Sequence, residues 1–434
     1  IISSMKKILA NGITIVCKNA CVFKEVSLTF KSGHVNEPKV GVAGVYEKLV
    51  TSNSPGIGSL FGGSMTSFIV CKMDGVSTLN KAISKLYAAS IGVSVTSKAL
   101  TSVVKDIIKH TDDMKNIPER QVKLAYKHIA FGDSTLWSAD EYINKLAALT
   151  TNDVKNYMAD NLVGKNIVIG YCGPIDVKDP EKDINEIAEV VEKYFGKLPA
   201  GIKKADCSLE YTGGFQFIQS ESFKHIARFG WYLPKEYNTA DTNILMSMLA
   251  GRLERSIAEA RIDADTNVKV AGYFGLRTLC ITLKCSGKRH FDAAVKIILA
   301  NIKRLQDSEA TDRRMETTRS RAANERLVIS NEVLPGSVDA AWSLLGRNID
   351  YDADGIISNL YDVTARDVKD VACEIFSKEP TVVLYTRKPY PSFDKIKKAL
   401  TPGAANKASK TKPQIELSAS ERAAIDAIDA SNPA

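Results

Sequence analysis

LTTNDVKNYMADNLVGKNIVIGYCG, residues 149–173, is answered 214 positions later by VTARDVKDVACEIFSKEPTVVLYTR, residues 363–387. Thr150, Asp153, Val154, Lys155, Val168 and Tyr171 return as Thr364, Asp367, Val368, Lys369, Val382 and Tyr385. In each copy a threonine stands where it can N-cap a helix, and an acidic residue three positions on can complete a capping box. A run rich in β-branched and aromatic residues follows. Each copy therefore predicts a helix that feeds a buried strand.

Two further pairs widen the repeat. SFIVCKMDGVSTLNKAISKLY from Ser67 matches CITLKCSGKRHFDAAVKIIL from Cys280 in pattern. Leu79, Ala82, Ile83, Leu86 and Tyr87 have the helical spacing of Phe291, Ala294, Val295, Ile298 and Leu299. Both read as strand, glycine-containing turn and amphipathic helix. A third pair opens each half, GITIVCKNACVFKEVSLTF from Gly12 and GFQFIQSESFKHIARFGWYL from Gly214. Each shows two β-type runs around a polar connection, which suggests a hairpin or meander. Three matching segments in one order imply a duplicated α+β domain: residues 1–200, a linker over 201–213, a second domain over 214–400, and an extension over 401–434. In the extension, SASERAAIDAIDA reads either as a disordered tail or as a short capped helix whose Ile425 and Ile428 dock on a neighbouring subunit.

Composition bounds the function. With 44% hydrophobic and 25% charged residues over 434 positions, the chain is of ordinary globular type; collagen-like, disulfide-scaffold and wholly disordered classes are excluded. No apolar run approaches the ~20 residues of a spanning helix. Eight scattered cysteines read as buried thiols in a reducing or matrix-type compartment. The sequence opens at Ile1 without an initiator Met, which fits a mature chain freed of a targeting segment or a shortened one. Net charge is +8, a modest excess suited to anionic surfaces.

GITIV from Gly12, SGHVNEPKVGVAG from Ser32 and WSADEYINKLAALTTNDV from Trp137, set within the duplication, resemble the pitrilysin-type metallopeptidase family over roughly residues 10–395. The nearest branch is the mitochondrial processing peptidase and its relatives, the core subunits of the cytochrome bc complex. In active members an H-x-x-E-H motif supplies two zinc-binding histidines one helical turn apart and a glutamate that activates water. Here the motif positions read Gly44-Val45-Tyr46-Glu47-Lys48. Gly44 offers no donor, Lys48 brings an ammonium group to a dication's place, and Glu47 alone survives. The family's third ligand position falls at Thr111 or Asp112, and NTADTNILMSMLAGRLERSIAEA, the counterpart in the second half, has no histidine.

The resemblance implies two tandem homologous α/β-sandwich domains, each a mostly antiparallel sheet with helices packed on it. It further implies no catalytic residue, no metal and no cofactor, leaving Gly44, Glu47 and Lys48 as vestigial zinc-motif positions. The function implied is that of a non-catalytic core subunit of respiratory complex III (ubiquinol-cytochrome c reductase), peripheral on the matrix side of the mitochondrial inner membrane. Its partners would be a homologous core or processing-peptidase-like subunit and the cytochrome b, cytochrome c and iron–sulfur subunits, with membrane association through them. The alternative is the non-catalytic alpha-type subunit of a processing peptidase. A receptor for arginine-rich presequences calls for acidic surface, which the net positive charge disfavours.

Other chemistry is weakly signalled. His34, His110, His128, His225 and His290 show no metal-ligand spacing. Cys17 and Cys21 lack a matching pair, and Cys280 and Cys285 point to opposite faces of a strand. SPGIGSLFGGSM, residues 54–65, lacks the Lys-Ser/Thr of a phosphate loop and reads as a flexible loop. KRHFDAAVKIILANIKRL has an apolar face suited to a core, so nucleic acid is not an expected partner.

Overall fold

A computed structural model describes residues 5–19, 24–33, 37–53, 58–62, 67–73, 78–131, 139–176, 178–204, 210–219, 223–234, 239–273, 276–332, 353–387 and 393–400. The extension over 401–434, with Ile425 and Ile428, lies outside them, as do His34, Cys21 and Cys207. The chain divides into two compact units. One comprises Ile1–Asp113, Trp137–Ser208 and Leu327–Ala353; the other comprises Met114–Leu136, Leu209–Arg326 and Asp354–Ala434.

The first unit carries a sheet of β1 (Met5–Ile8), β2 (Thr14–Asn19), β3 (Glu25–Phe30), β4 (Gly58–Gly62), β5 (Ser67–Lys72) and β6 (Ile167–Gly173), in spatial order β1-β2-β6-β3-β5-β4. β2 and β6 run parallel, and the other neighbours are antiparallel. Helices of this unit include α1 (Val42–Asn53), α2 (Leu79–Ser90), α3 (Ser97–Met114), α5 (Ala139–Ala147), α6 (Thr151–Asn161) and α7 (Pro180–Phe195). Ile13, Ile15, Leu28, Ile69, Ile83 and Val191 are among the fully or nearly fully buried side chains of its core.

The second unit repeats the plan. β7 (Gly214–Gln219), β8 (His225–Leu233), β9 (Ala264–Tyr273), β10 (Leu276–Cys285) and β11 (Thr381–Thr386) lie in the order β7-β11-β8-β10-β9. Again one pair, β7 with β11, is parallel and the rest are antiparallel. α8 (Thr239–Glu259), α9 (Lys288–Asp307), α10 (Asp312–Glu332), α11 (Ala353–Asp362), α12 (Ala365–Phe376) and α13 (Phe393–Leu400) follow in chain order. Phe229, Trp231, Leu245, Phe291, Ile298 and Ile375 close the core between this sheet and its helices. Apart from the additional edge strand β1, the two sheets share one strand order, so the mostly antiparallel α+β architecture predicted from the repeat is the observed one.

The capping boxes form as the sequence predicts. Thr150 and Thr364 each accept the N–H of the aspartate three residues on, at 3.3 and 3.1 Å. Each aspartate in turn accepts the threonine's own N–H at 2.8 Å.

Three expectations are corrected. The opening runs of each half are not hairpins: β6 stands between β2 and β3, and β11 stands between β7 and β8. Every residue of β6 and of β11 is buried. A strand apolar along its whole length is most stable in a sheet's interior with neighbours on both sides. The glycine-rich run, expected as a loop, contains β4. It is an edge strand whose pairing with β5 slips between Gly58 and Phe61, the irregularity that strand glycines permit.

The third correction concerns α4 (Pro118–Phe131), which lies in the first half of the sequence but in the second unit. Its Val122, Tyr126, Ala130 and Phe131 pack with Ile226, Cys280, Val383 and Tyr385, the face of the second sheet turned away from Phe229 and Trp231. The approach is close at Gly230, where a Cβ would stand 1.8 Å from the Tyr126 hydroxyl. Only glycine fits there.

Candidate functional site

The site to test is α1, because it carries Gly44, Glu47 and Lys48. Gly41, at φ +87, turns the chain into the helix. Glu37 caps it: the Gly41 N–H donates to Oε1 at 2.7 Å and the Ala43 N–H donates to Oε2 at 3.0 Å. Tyr46 anchors the inner face. It is fully buried, its hydroxyl donates to the Ser90 carbonyl at 3.2 Å, and its ring meets Phe30 and Tyr157 at centroid distances of 6.0 and 5.8 Å.

Gly44 and Glu47 are half-buried, and Lys48 is exposed. Burial pushes the Glu37 carboxyl up to about 7; its two N–H donors oppose the rise, and the Glu47 charge adds to it. The charge of Glu47, in the middle of α1, is thus felt by the carboxylate that caps the helix. On α3 the residue turned inward at the third-ligand position is Thr111, which is buried, whereas Asp112 and Asp113 are exposed.

Tested against zinc, this donor set does not fit. Tetrahedral zinc takes imidazole, thiolate or carboxylate at ~2.0–2.3 Å, with at least three protein ligands in a catalytic site. The residues at i and i+4 are a glycine and a lysine. Among the described residues, no group of three or more His, Cys, Asp or Glu is gathered as a metal site.

The remaining candidates resolve into structural roles. His225 is buried against the Phe291 ring at 5.6 Å, and burial lowers its pKa. The His290 Nδ1 accepts the Asp263 N–H at 3.0 Å. Cys280 joins the α4-side cluster and Cys285 the opposite core, the two faces expected of their spacing. Burial raises the Cys17 and Cys285 thiols to about 12 and the Cys172 thiol to about 11, so they remain protonated and unreactive at neutral pH. Sequence reasoning missed Glu37. Its signal is an acidic residue just before the glycine that opens an apolar helical pattern, which marks a capping carboxylate.

Comparison with known proteins adds two findings. Residues 148–321, less than half of the chain, match the family described as the peptidase M16 inactive domain. Among solved structures, a chain of "Complex III2 from Candida albicans, Inz-5 bound" superimposes with a TM-score of 0.77 at 13% identity, covering 92% of this chain and 99% of that one. A protease from Helicobacter pylori superimposes with a TM-score of 0.72 at 14% identity, covering 88% of this chain and 99% of that one. No curated protein matches the sequence. The family match runs from α6 into α10, and the two solved structures share the fold of this chain.

Proposed function

We propose that this protein is a non-catalytic structural core subunit of mitochondrial respiratory complex III, supporting its assembly and stability from the matrix side. The observation that carries the reading is the full-length likeness to a chain of a complex III assembly, with 99% of that chain covered. The α1 donor set supports it. Gly44 and Lys48 stand where two imidazoles would be needed, so the vestigial positions Gly44, Glu47 and Lys48 hold no zinc and activate no water. Among the described residues no helix is long and apolar enough to cross a membrane, which suits a peripheral subunit held by partners. Those partners are a homologous core-type subunit and the cytochrome b, cytochrome c and iron–sulfur subunits.

The test is purification from native membranes in mild detergent, followed by subunit identification and metal analysis. Co-migration with a haem-containing complex, with well under one zinc per copy of this chain, is the expected result. Recovery as a soluble pair with a histidine-bearing homologue would overturn the reading in favour of the presequence-binding subunit. Stoichiometric zinc lost in Glu47→Gln would overturn the non-catalytic assignment.

A further inference from the structure

Beside α4, part of the same face of the second sheet stays open to solvent. Val383, Arg228, Thr282 and Asn267 form one cross-strand row over β11, β8, β10 and β9, and Gly230, Cys280 and Lys269 form the next over β8, β10 and β9. Residues paired in this way share a face, and Val383 and Cys280 belong to the cluster under α4. Arg228, Thr282, Asn267 and Lys269 therefore stand on the α4 side. Arg228 and Thr282 are half-buried, whereas Asn267 and Lys269, on the edge strand β9, are exposed.

Arg228 is the deepest charge of this strip. Its guanidinium lies over the Tyr126 ring at 4.5 Å, and its Nη2 donates to the Cys280 Sγ at 3.7 Å. Its Nε is buried and has no hydrogen-bond partner. A thiol is a weak acceptor, and this one already contacts the Tyr126 hydroxyl at 3.4 Å and the Thr278 hydroxyl at 3.3 Å. These contacts fix the direction of the guanidinium and leave its charge uncompensated.

Two lysines flank the same contact. Lys123 precedes Tyr126 by three residues on α4, a spacing that brings Cβ atoms within ~5–6 Å. Lys269 stands directly across from Cys280, where Cβ atoms are ~4.5–5.5 Å apart. Among the described residues, no carboxylate pairs with Lys123, Arg228 or Lys269. The acids on this side lie elsewhere: Glu119 is 3.7 Å from Lys224 and 3.9 Å from Lys284, and Asp265 stands opposite Lys284. Burial first, then Arg228, Lys269 and Arg120, lower the pKa of Lys123, as cations held together require.

We propose that Lys123, Arg228 and Lys269 bind a phosphate-bearing anion on the face of the second sheet beside α4. Three like charges from α4, β8 and β9 repel one another, and an anion among them removes that cost. The planar guanidinium fork fits phosphoryl oxygens two at a time, and the lysines add point charges on either side. Charge spread over two flanking lysines suits a diphosphate better than a single phosphate. The site lies within the second unit and is independent of the reading proposed for the protein as a whole. Soluble diphosphate compounds and phospholipid headgroups both carry the chemistry it recognises.

The experiment titrates the full-length chain calorimetrically with pyrophosphate and with inorganic phosphate, at fixed ionic strength in chloride. Binding of pyrophosphate, and weaker binding of phosphate, is expected. The Lys123→Gln/Lys269→Gln double variant, altered only at surface positions, is expected to weaken it about tenfold, the loss of charge-assisted hydrogen bonds. The control is Lys395→Gln/Lys398→Gln. It removes the same charge from α13, which packs through Phe393 on Phe215 and Phe217 against the opposite core, and it should leave the affinity unchanged. In a second arm the protein is floated with phosphatidylcholine vesicles with and without phosphatidic acid. Recruitment that requires phosphatidic acid and is lost in the Lys123/Lys269 variant assigns the headgroup as the source; pyrophosphate binding without recruitment assigns a soluble compound. Absence of binding to every probe, or equal affinities in the two double variants, would overturn the proposal.

Discussion

Glu37 shows how one side chain takes on two opposed roles. Its carboxylate receives two backbone N–H groups at the start of α1, which favours the charged form, yet burial and the neighbouring Glu47 favour the neutral one and prevail. Raised from 4.5 to about 7, the group binds a proton more tightly in the folded than in the unfolded chain. Its contribution to stability is therefore fully present below about 4.5 and is lost as pH rises through about 7. Denaturant unfolding of Glu37→Gln followed across that window should show a flatter pH dependence than the parent chain. An unchanged slope would mean that Glu37 does not titrate there. At this scale the sequence was partly legible. That Gly44 and Lys48 offer zinc no donor is plain from the sequence, because ligand chemistry depends on residue type. Glu37 was not singled out, because its importance comes from burial, and burial depends on what folds over it.

Among the elements, the two capping boxes were legible because they are local: four residues contain the whole interaction. Asp153 and Asp367 are held below the ordinary carboxylate range, Asp153 first by Lys39 at 2.7 Å and Asp367 first by Thr364. Their stabilising effect is present at neutral pH and is lost as pH falls through their lowered pKa values. Thr150→Ala and Thr364→Ala should each cost about 1 kcal/mol in equilibrium unfolding. The two losses should add, since the boxes lie in separate units. The insertion of β6 between β2 and β3, and of β11 between β7 and β8, could not be read from the runs that open each half. Strand adjacency is a long-range property; the sequence signal was present, but in the unbroken apolar character of IVIGYCG and TVVLYT rather than in the connections.

For the molecule as a whole, the duplication made the fold class and the number of sheets readable, whereas the placement of α4 was hidden. PERQVKLAYKHIAF has an ordinary amphipathic pattern, and nothing in that pattern says which sheet it covers. A fragment starting at Leu209 should therefore leave Ile226, Cys280, Val383 and Tyr385 uncovered and should self-associate in size-exclusion chromatography. Adding a peptide spanning Met114–Leu136 should restore a monomer and raise its Tm by several degrees. A fragment that is monomeric and indifferent to the peptide would show that α4 is dispensable to the second unit.

The same placement imposes an order on synthesis. α4 leaves the ribosome well before β7, and the sheet that receives it is complete only when Thr386 has emerged. At the usual ~5–20 residues per second, Tyr126 and Phe131 wait roughly 10 to 50 seconds for their partners. During translation the nascent chain thus presents a greasy helix that its own first half was not built to cover. Its biogenesis should depend on a holdase that shields this segment until the final strand arrives.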